Sequence, residues 1–352
     1  MSVPDVSVTL VTYNSRHSTE ECLESVFAQT GIDPEIIVVD NASTDGTQAV
    51  LARYRNRLTL IHNSSNTGFS AAQNQAIQAS HGAWVLTLNP DVVLEPGFLR
   101  SLLEAGSADR RIGSVCGKLL RLRPDLTRFE LPKIDSTGMF FTPPLRHFDR
   151  GWNEVDSGQY DHLEYVFGVS AAAALYRREM IQDLSLDGDF FDPDFFAYRE
   201  DADVAWRAQL QGWRALYTPA ALGWHVRSVT PANRSDVAPL INMHSVKNRF
   251  LMRIKNMTGS LYRRHWWAIT ARDAVVVAGC LVFEHSSLPA FVRVVRCYRR
   301  ALAWRRHIMN RRKAPDTYID AWFAAEPVAY LYPGELPVLE KPSALAAEAR
   351  VA

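Results

Sequence analysis

The sequence predicts an α/β fold: a mostly parallel sheet flanked by helices, followed by a mainly helical C-terminal extension. Three observations carry this. Short β-branched or apolar runs alternate with helix-spaced segments from residue 6 to residue 91. The run EIIVVDNA (35–42) is almost continuously apolar, as a parallel strand buried on both faces requires. Beyond residue 240 the pattern turns mainly helical.

In order, VSVTLVTY (6–13) reads as the first strand, bounded by Asn14, and Cys22, Val26 and Phe27 fall at helical spacing within 18–29. EIIVVDNA is the second strand, DGTQAVLARY (45–54) a helix and LTLIHN (58–63) a strand. SAAQNQAIQAS (70–80) is a helix and AWVLTLNPD (83–91) a strand. Each strand ends in a polar cluster: Thr12-Tyr13-Asn14, Asp40-Asn41-Ala42-Ser43, Asn63 to Asn66, and Asn89-Pro90-Asp91. Such residues are ordinary turn formers. Four in succession at carboxyl ends of strands, where α/β sheets bind ligands, point to one shared pocket. Residues 113–165, rich in Pro, Gly and aromatics, read as a sheet edge with a long loop, and regular structure returns over 166–230.

Composition limits the function classes. With 352 residues the chain holds one large domain plus an appendage, or two domains. Apolar content of 47% and charged content of 22% suit a globular core. A net charge of +1 argues against a protein built to coat an acidic polymer. Cys22, Cys116, Cys280 and Cys297 lie far apart without a CxxC pair, so zinc-site spacing is absent and a reducing cytoplasm is expected. The start MSVPDVSVTLVTYN shows no secretory pattern. The apolar block AVVVAGCLVF (274–283) is shorter than the roughly 20 residues a spanning helix needs. No GxGxxG follows the first strand and no GxxxxGK[ST] occurs, which disfavours a dinucleotide site and a P-loop.

The segment DPDFFAYREDADVAWR (192–207) is the densest in charge, with Asp192, Asp194, Arg199, Glu200, Asp201, Asp203 and Arg207. Glu200 and Asp201 begin a helix running through Trp206, where the helix dipole favours carboxylates, and Asp203 to Arg207 is an i,i+4 pair. The preceding aromatics of FFDPDFFAYR would exclude water from those carboxylates.

With these residues in place, the chain resembles glycosyltransferase family 2, the inverting enzymes of GT-A fold, a Rossmann-like sheet flanked by helices. Within it, the chain looks most like bacterial rhamnosyltransferases and related cell-surface polysaccharide transferases. The segments VTLVTYNS, IIVVDNASTDGT, NTGFSAAQNQAI, VLTLNPDVVL, FFDPDFFAYREDADVAWRAQLQGW and WHVRSVT carry the resemblance over residues 5–230. It implies a catalytic domain over 1–240, with a nucleotide-binding half (1–110) and an acceptor and catalytic half (111–240). Residues 241–352 form a basic helical extension.

The resemblance also implies roles. Asp40 accepts the N3–H of a uracil or thymine base that Thr12, Tyr13 and Asn14 frame, with Asn41 beside it. Asn66, Gly68 and Asn74 lie near the nucleotide and its phosphates, Gly68 allowing close backbone approach. Asn89-Pro90-Asp91 stands at the place of a DXD-type motif, with Asn89 where many relatives carry a first Asp. Asp91 is then the first ligand of Mg2+ or Mn2+ and His225 the second, because an oxygen-seeking cation offsets charge on a departing diphosphate. Asp201 is the catalytic base and Glu200 its support. The acceptor wall is expected around Trp152 and in FGVS (167–170), at Gly168 and Ser170.

By likeness alone, the donor expected is dTDP-L-rhamnose rather than a UDP-hexose or UDP-N-acetylhexosamine. The acceptor expected is a glycan or a polyprenyl-diphosphate-linked sugar. A processive synthase would carry QxxRW, which QLQGWR (209–214) does not fit. A sugar nucleotidyltransferase needs a Gly-rich basic loop that TYNSRHS is not. A binding protein without turnover would have no need to keep both Asp91 and Asp201.

No acidic residue occurs from His285 to Pro315. Phe291, Val294, Val295, Tyr298 and Leu302 fall on one helical stripe, opposite Arg293, Arg296, Arg299 and Arg300. With RRHWW (263–267), this fits an anionic membrane surface, and a peripheral place on the inner face of the plasma membrane is expected. Packing on the catalytic domain or a homo-oligomer contact is the alternative. No nucleic-acid-binding module is visible.

Overall fold

A computed structural model describes residues 4–227, 239–334 and 336. The last three residues of WHVRSVT and most of the chain beyond Gly334 lie outside them. The predicted alternation is present as β1 (Val6–Thr12), α1 (Arg16–Phe27), β2 (Glu35–Asp40), α2 (Thr47–Ala52), β3 (Thr59–His62), α3 (Phe69–Ala79) and β4 (Trp84–Leu88). The strands pair in parallel in the order β3-β2-β1-β4. Alternating side chains divide between the faces, as strand geometry demands. Val6, Val8, Leu10, Ile36 and Val38 join the core that includes Cys22, Leu23 and Val26 of α1, whereas Val11, Ile37 and Val39 meet Ala72 and Ala76 of α3.

Next come β5 (Val92–Leu94), α4 (Phe98–Ser107), β6 (Ile112–Arg121), β7 (Ile134–Ser136), β8 (Met139–Phe141), β9 (His147–Asp149) and β10 (Glu164–Val166). They are followed by β11 (Ala173–Arg177), α5 (Arg178–Leu184), α6 (Glu200–Leu210) and β12 (Arg214–His225). The sheet continues past β4 through antiparallel β11 to β6, then β12 and β10. The start of the segment read as a sheet edge is therefore an interior strand. β6 is buried along almost its whole length, parallel to β12 on one side and antiparallel to β11 on the other. Gly113 and Gly117 broke its apparent strand pattern, and Gly117 has a local reason: a Cβ there would stand 2.3 Å from the Ala221 carbonyl, where β12 bulges between Thr218 and Leu222.

The C-terminal segment is mainly helical: α7 (Pro239–Asn256), α8 (Gly259–Val282), α9 (Pro289–Arg311) and α10 (Asp316–Asp320). It also returns a strand, β13 (Tyr330–Leu331), to the edge of the main sheet against β10. Leu251, Trp304, Tyr318 and Trp322 share a core cluster with the α/β sheet. On α9 the buried line is Ala290, Ala301, Trp304 and Ile308, with Val294 and Cys297 packed partly against the core. Two residues of the predicted apolar stripe, Val295 (73% exposed) and Tyr298, face outward instead. The predicted stripe lies to one side of the true contact line, because tertiary packing follows the small residues at 290 and 301. Among the described residues no single helix is long and apolar enough to cross a membrane; α8 and α9 meet the length and composition test only as a pair bent by 114°.

Candidate active site

The strand ends of the parallel half do converge. Asp40, fully buried at the end of β2, accepts a hydrogen bond from Thr12 Oγ1 (3.1 Å) through one oxygen and from Gln48 Nε2 (2.8 Å) through the other. Asn14 adopts a left-handed conformation (φ 49°), and its carbonyl oxygen Oδ1 accepts from the Thr44 backbone (2.8 Å). These contacts tie the first two loops into a cradle, with exposed Tyr13 beside it.

Other residues expected at the nucleotide serve the scaffold. Asn41 donates to Asn66 Oδ1 (2.9 Å) and accepts from Asn63 and from the Thr67 backbone (both 3.0 Å), which fastens β2 to the loop before α3. Asn66 also caps the Gly68 amide (2.9 Å). Asn74 donates to Asp189 (2.9 Å) and the Phe191 carbonyl (2.7 Å) and accepts from the Phe190 and Phe191 amides. That uses all four positions of its amide, so Asn74 holds the segment leading to Asp201 and has no capacity left for a nucleotide. Gly68 (φ +85°) is required by the same segment, since a Cβ would meet the Phe196 carbonyl at 2.6 Å. The close approach is the protein's own backbone.

At the end of β4, the Asn89 amide donates to the Ala172 carbonyl (2.8 Å), and Asp91 follows, half-buried. β5 pairs antiparallel with the end of β12, and this brings His225 opposite Asp91, Nε2 to Oδ1 at 3.4 Å. The other ring nitrogen lies 2.8 Å from buried Asp135 of β7. Arg227 continues the chain, its guanidinium 2.8 Å from Asp135 and 2.7 Å from Asp149 of β9. Burial opposes a charge on His225, but the carboxylates of Asp135 and Asp91 outweigh it and push its pKa up to about 10. Among the described residues no group of three or more His, Cys, Asp or Glu side chains forms a complete metal cage. With its pKa so raised, His225 without a cation is an imidazolium paired with both carboxylates, and Asp91 and His225 suit a divalent cation that displaces the Nε2 proton and takes its remaining ligands from phosphate and water. Sequence reasoning missed Asp135, Asp149 and Arg227; only Arg227 stood inside a quoted motif.

The start of α6, expected to carry the catalytic base, is a strained turn. Phe196, Tyr198 and Arg199 all have φ near the left-handed region (66°, 70° and 69°), although none is glycine. Asn248 of α7, fully buried, holds this turn, its Nδ2 lying 2.9, 2.9 and 2.7 Å from the carbonyls of Phe195, Ala197 and Tyr198. The turn delivers Asp201 with Oδ1 on the Ala202 amide (2.7 Å) and Oδ2 near the Ala171 amide (3.4 Å). Burial raises the pKa of Asp201, and nearby Asp149 adds to it. Burial raises that of Glu200 further, with Asp201 and Asp203 adding like charge. A carboxylate so placed is a stronger base than an exposed one.

Asp203 belongs to a different structure. It is fully buried with Arg207 (2.9 Å), Lys255 (2.8 Å) and Asn256 (2.8 Å), and burial opposes its charge while Lys255 and Arg207 lower its pKa. The i,i+4 pair is thus a buried anchor rather than a solvated face. Of the acceptor residues, Gly168 lies under α6, where a Cβ would stand 2.2 Å from that of Ala205, so it serves helix packing and not an acceptor. Ser170 is half-buried, one residue before the Ala171 amide at Asp201. Trp152, half-buried, lies beside Arg121, with the guanidinium 5.8 Å from its ring.

The N-acetylglucosaminyl-diphospho-decaprenol L-rhamnosyltransferase of Mycobacterium tuberculosis (strain ATCC 25618 / H37Rv) is 30% identical over 232 residues, 61% of this chain and 73% of the relative. The succinoglycan biosynthesis protein ExoO of Rhizobium meliloti (strain 1021) is 33% identical over 141 residues; the match spans 38% of this chain and only 40% of that relative's length. A crystal structure of GalNAc-T7 with UDP, GalNAc and Mn2+ shares the fold at a TM-score of 0.58 and 14% identity, covering 72% of this chain and 48% of that one. The fold is of GT-A type. Residues 7–185 match the profile of Glycosyl transferase family 2, and the chain belongs to that family.

Proposed function

We propose that the chain is an inverting glycosyltransferase that moves L-rhamnose from dTDP-L-rhamnose to a hydroxyl of a glycan or lipid-linked glycan in cell-surface polysaccharide synthesis. The observation that carries it is the charged chain Asp91, His225, Asp135, Arg227, Asp149, which links the strand-end cradle to the carboxylate of Asp201. The rhamnosyl donor rests on the mycobacterial relative's name alone.

Asp201 takes the proton of the acceptor hydroxyl as that oxygen attacks the anomeric carbon from the side opposite the nucleoside diphosphate. One carbon–oxygen bond forms as the other breaks, so the configuration inverts. Glu200, its pKa raised by burial, carries its proton toward neutral pH and spares Asp201 a second ionised neighbour. Thr12 and Gln48 orient Asp40 for the base. Asp91, with His225 once its Nε2 proton is displaced, would hold a divalent cation, Mg2+ or Mn2+, which supplies positive charge for the departing diphosphate. Arg227 steadies Asp135 and Asp149 behind that pair.

The test is nucleotide release from dTDP-rhamnose, UDP-glucose, UDP-galactose and UDP-N-acetylglucosamine with Mg2+, Mn2+ or chelator, beside Asp91→Ala. Metal-dependent release from dTDP-rhamnose alone, lost in Asp91→Ala, is expected. Release from a UDP-sugar instead would replace the donor and keep the reaction. No release together with no nucleotide binding would sink the transferase reading.

A further inference from the structure

We infer that a cavity beside the catalytic turn binds the diphosphate of a lipid-linked acceptor, with the lipid leaving along the exposed face of α8. The inference rests on the transferase reading and names its acceptor class and site.

The cavity, about 360 Å³, lies between the β8–β9 hairpin, α7 and α8. Arg146, Arg199, Arg249 and Arg272 line it, and among the described residues Glu284 is the one acidic group that does. Asp273 answers part of this charge by pairing with Arg249 (3.1 Å) and Arg253. These guanidiniums act on His147, which also lines the cavity: burial holds it well below the usual histidine range, and Arg199, Arg227, Arg249 and Arg146 all push the same way. Neutral His147 accepts from Arg199 Nη1 (3.0 Å), fixing that guanidinium at the wall. Arg199 and Arg249 donate to Ser245 and to the carbonyls of Leu145 and Pro144 and so shape the wall, which leaves the diphosphate contacts mainly to Arg146 and Arg272. Clustered guanidiniums are the usual match for diphosphate oxygens.

The α8 side of the cavity is largely apolar apart from Arg272 and Glu284. Val275, Gly279 and Phe283 of α8 and its end line the cavity, and Val275 and Phe283 are also 59% and 85% exposed outside it. From Trp266 to Phe283 the only charges are Arg272, in the cavity, and Asp273, paired inward. Trp266, Trp267, Leu281 and Val282 are exposed on the same helix. An apolar surface helix with aromatic residues, next to the acid-free arginine-rich α9, suits the boundary of an anionic bilayer. A base-recognition role for the cavity has no support, because the cradle at Asp40 already supplies one.

Position completes the case. Arg199 directly precedes Glu200 and Asp201. β9 runs from His147 in the cavity to Asp149 beside Asp201, two residues and so about 7 Å. A sugar borne on a diphosphate held by the arginines therefore reaches the base while its lipid stays on α8.

The experiment measures binding to the full chain of farnesyl diphosphate, inorganic diphosphate and farnesol by calorimetry, with saturating dTDP or UDP to occupy the donor cleft. Farnesyl diphosphate should bind more tightly than either part. Arg146→Gln/Arg272→Gln should weaken it about tenfold or more, as loss of charge-assisted contacts implies. Phe283→Ser should weaken farnesyl diphosphate and leave inorganic diphosphate unchanged. Binding no tighter than that of inorganic diphosphate, or indifferent to the arginine pair, overturns the inference. So does a dimer that Phe283→Ser splits while farnesyl diphosphate affinity stays the same, since a second copy would then cover α8. Nucleotide binding on the same samples separates the two readings: retained, only this inference falls; absent, the transferase reading falls with it.

Discussion

The Lys255 ammonium of α7 lies 2.8 Å from Asp203 of α6, and the same nitrogen lies 2.8 Å from Asp192. All three side chains are buried, and Lys255 rests 4.5 Å from the ring of Trp304 on α9. The C-terminal helices therefore grip α6 through one cation.

Lys255→Met leaves two buried carboxylates with less compensation. Removing one partner of such a group costs about 3 kcal/mol or more, which at about 2 °C per kcal/mol lowers the melting temperature by about 6 °C. Thermal melting at neutral pH checks it. A fall below about 1 °C would mean that Arg207 and Asn256 suffice to hold Asp203.

Asp201→Asn keeps the side-chain shape and removes the proposed base. Turnover should fall by about 10² to 10⁴, with donor affinity unchanged in a direct binding assay. In the parent, kcat/KM should rise with pH through a group near 6, the value to which burial and Asp149 raise Asp201. An acid limb at the ordinary aspartate value, about 4, would argue that another group takes the proton.

Glu200 predicts a gain in stability. Its pKa is raised in the folded chain, so the folded state keeps a proton that the unfolded state releases. Stability from this group is greatest below the unfolded value, about 4.3, and falls as pH rises through the folded one. Glu200→Gln avoids that loss. Its melting temperature should exceed the parent's by an amount that grows between about pH 5 and pH 8, and a gap that stays flat or narrows would refute the account.

Asn248→Ala removes the amide facing three carbonyls of the left-handed turn. With the turn relaxed, kcat should fall about tenfold or more through misplacement of Asp201, while the donor KM changes little. Equal loss of nucleotide affinity would show instead that the whole cleft had unfolded.

The β-α alternation and the helix beginning at Glu200 were legible in the sequence, because each depends on residues within one element or at its end. The neighbourhood of Thr12 and Asp40 came from the family resemblance and is set by the pairing of β1 with β2. Periodicity of two or of 3.6 is a local property and survives any later packing. The interior place of β6, the closure of the sheet by β13, the union of His225 with Asp135 and the clamp from Asn248 were decided by tertiary structure. The glycines and asparagines make the same distinction. Gly68, Gly168 and Asn74 look like ligand-facing residues, yet each is required by a chain segment remote in sequence, Phe196, Ala205 and Phe191 respectively. Which backbone approaches a glycine, or which amide an asparagine meets, follows from strand register and helix docking. No local pattern encodes those, since they arise only when distant segments compete to bury the same surface.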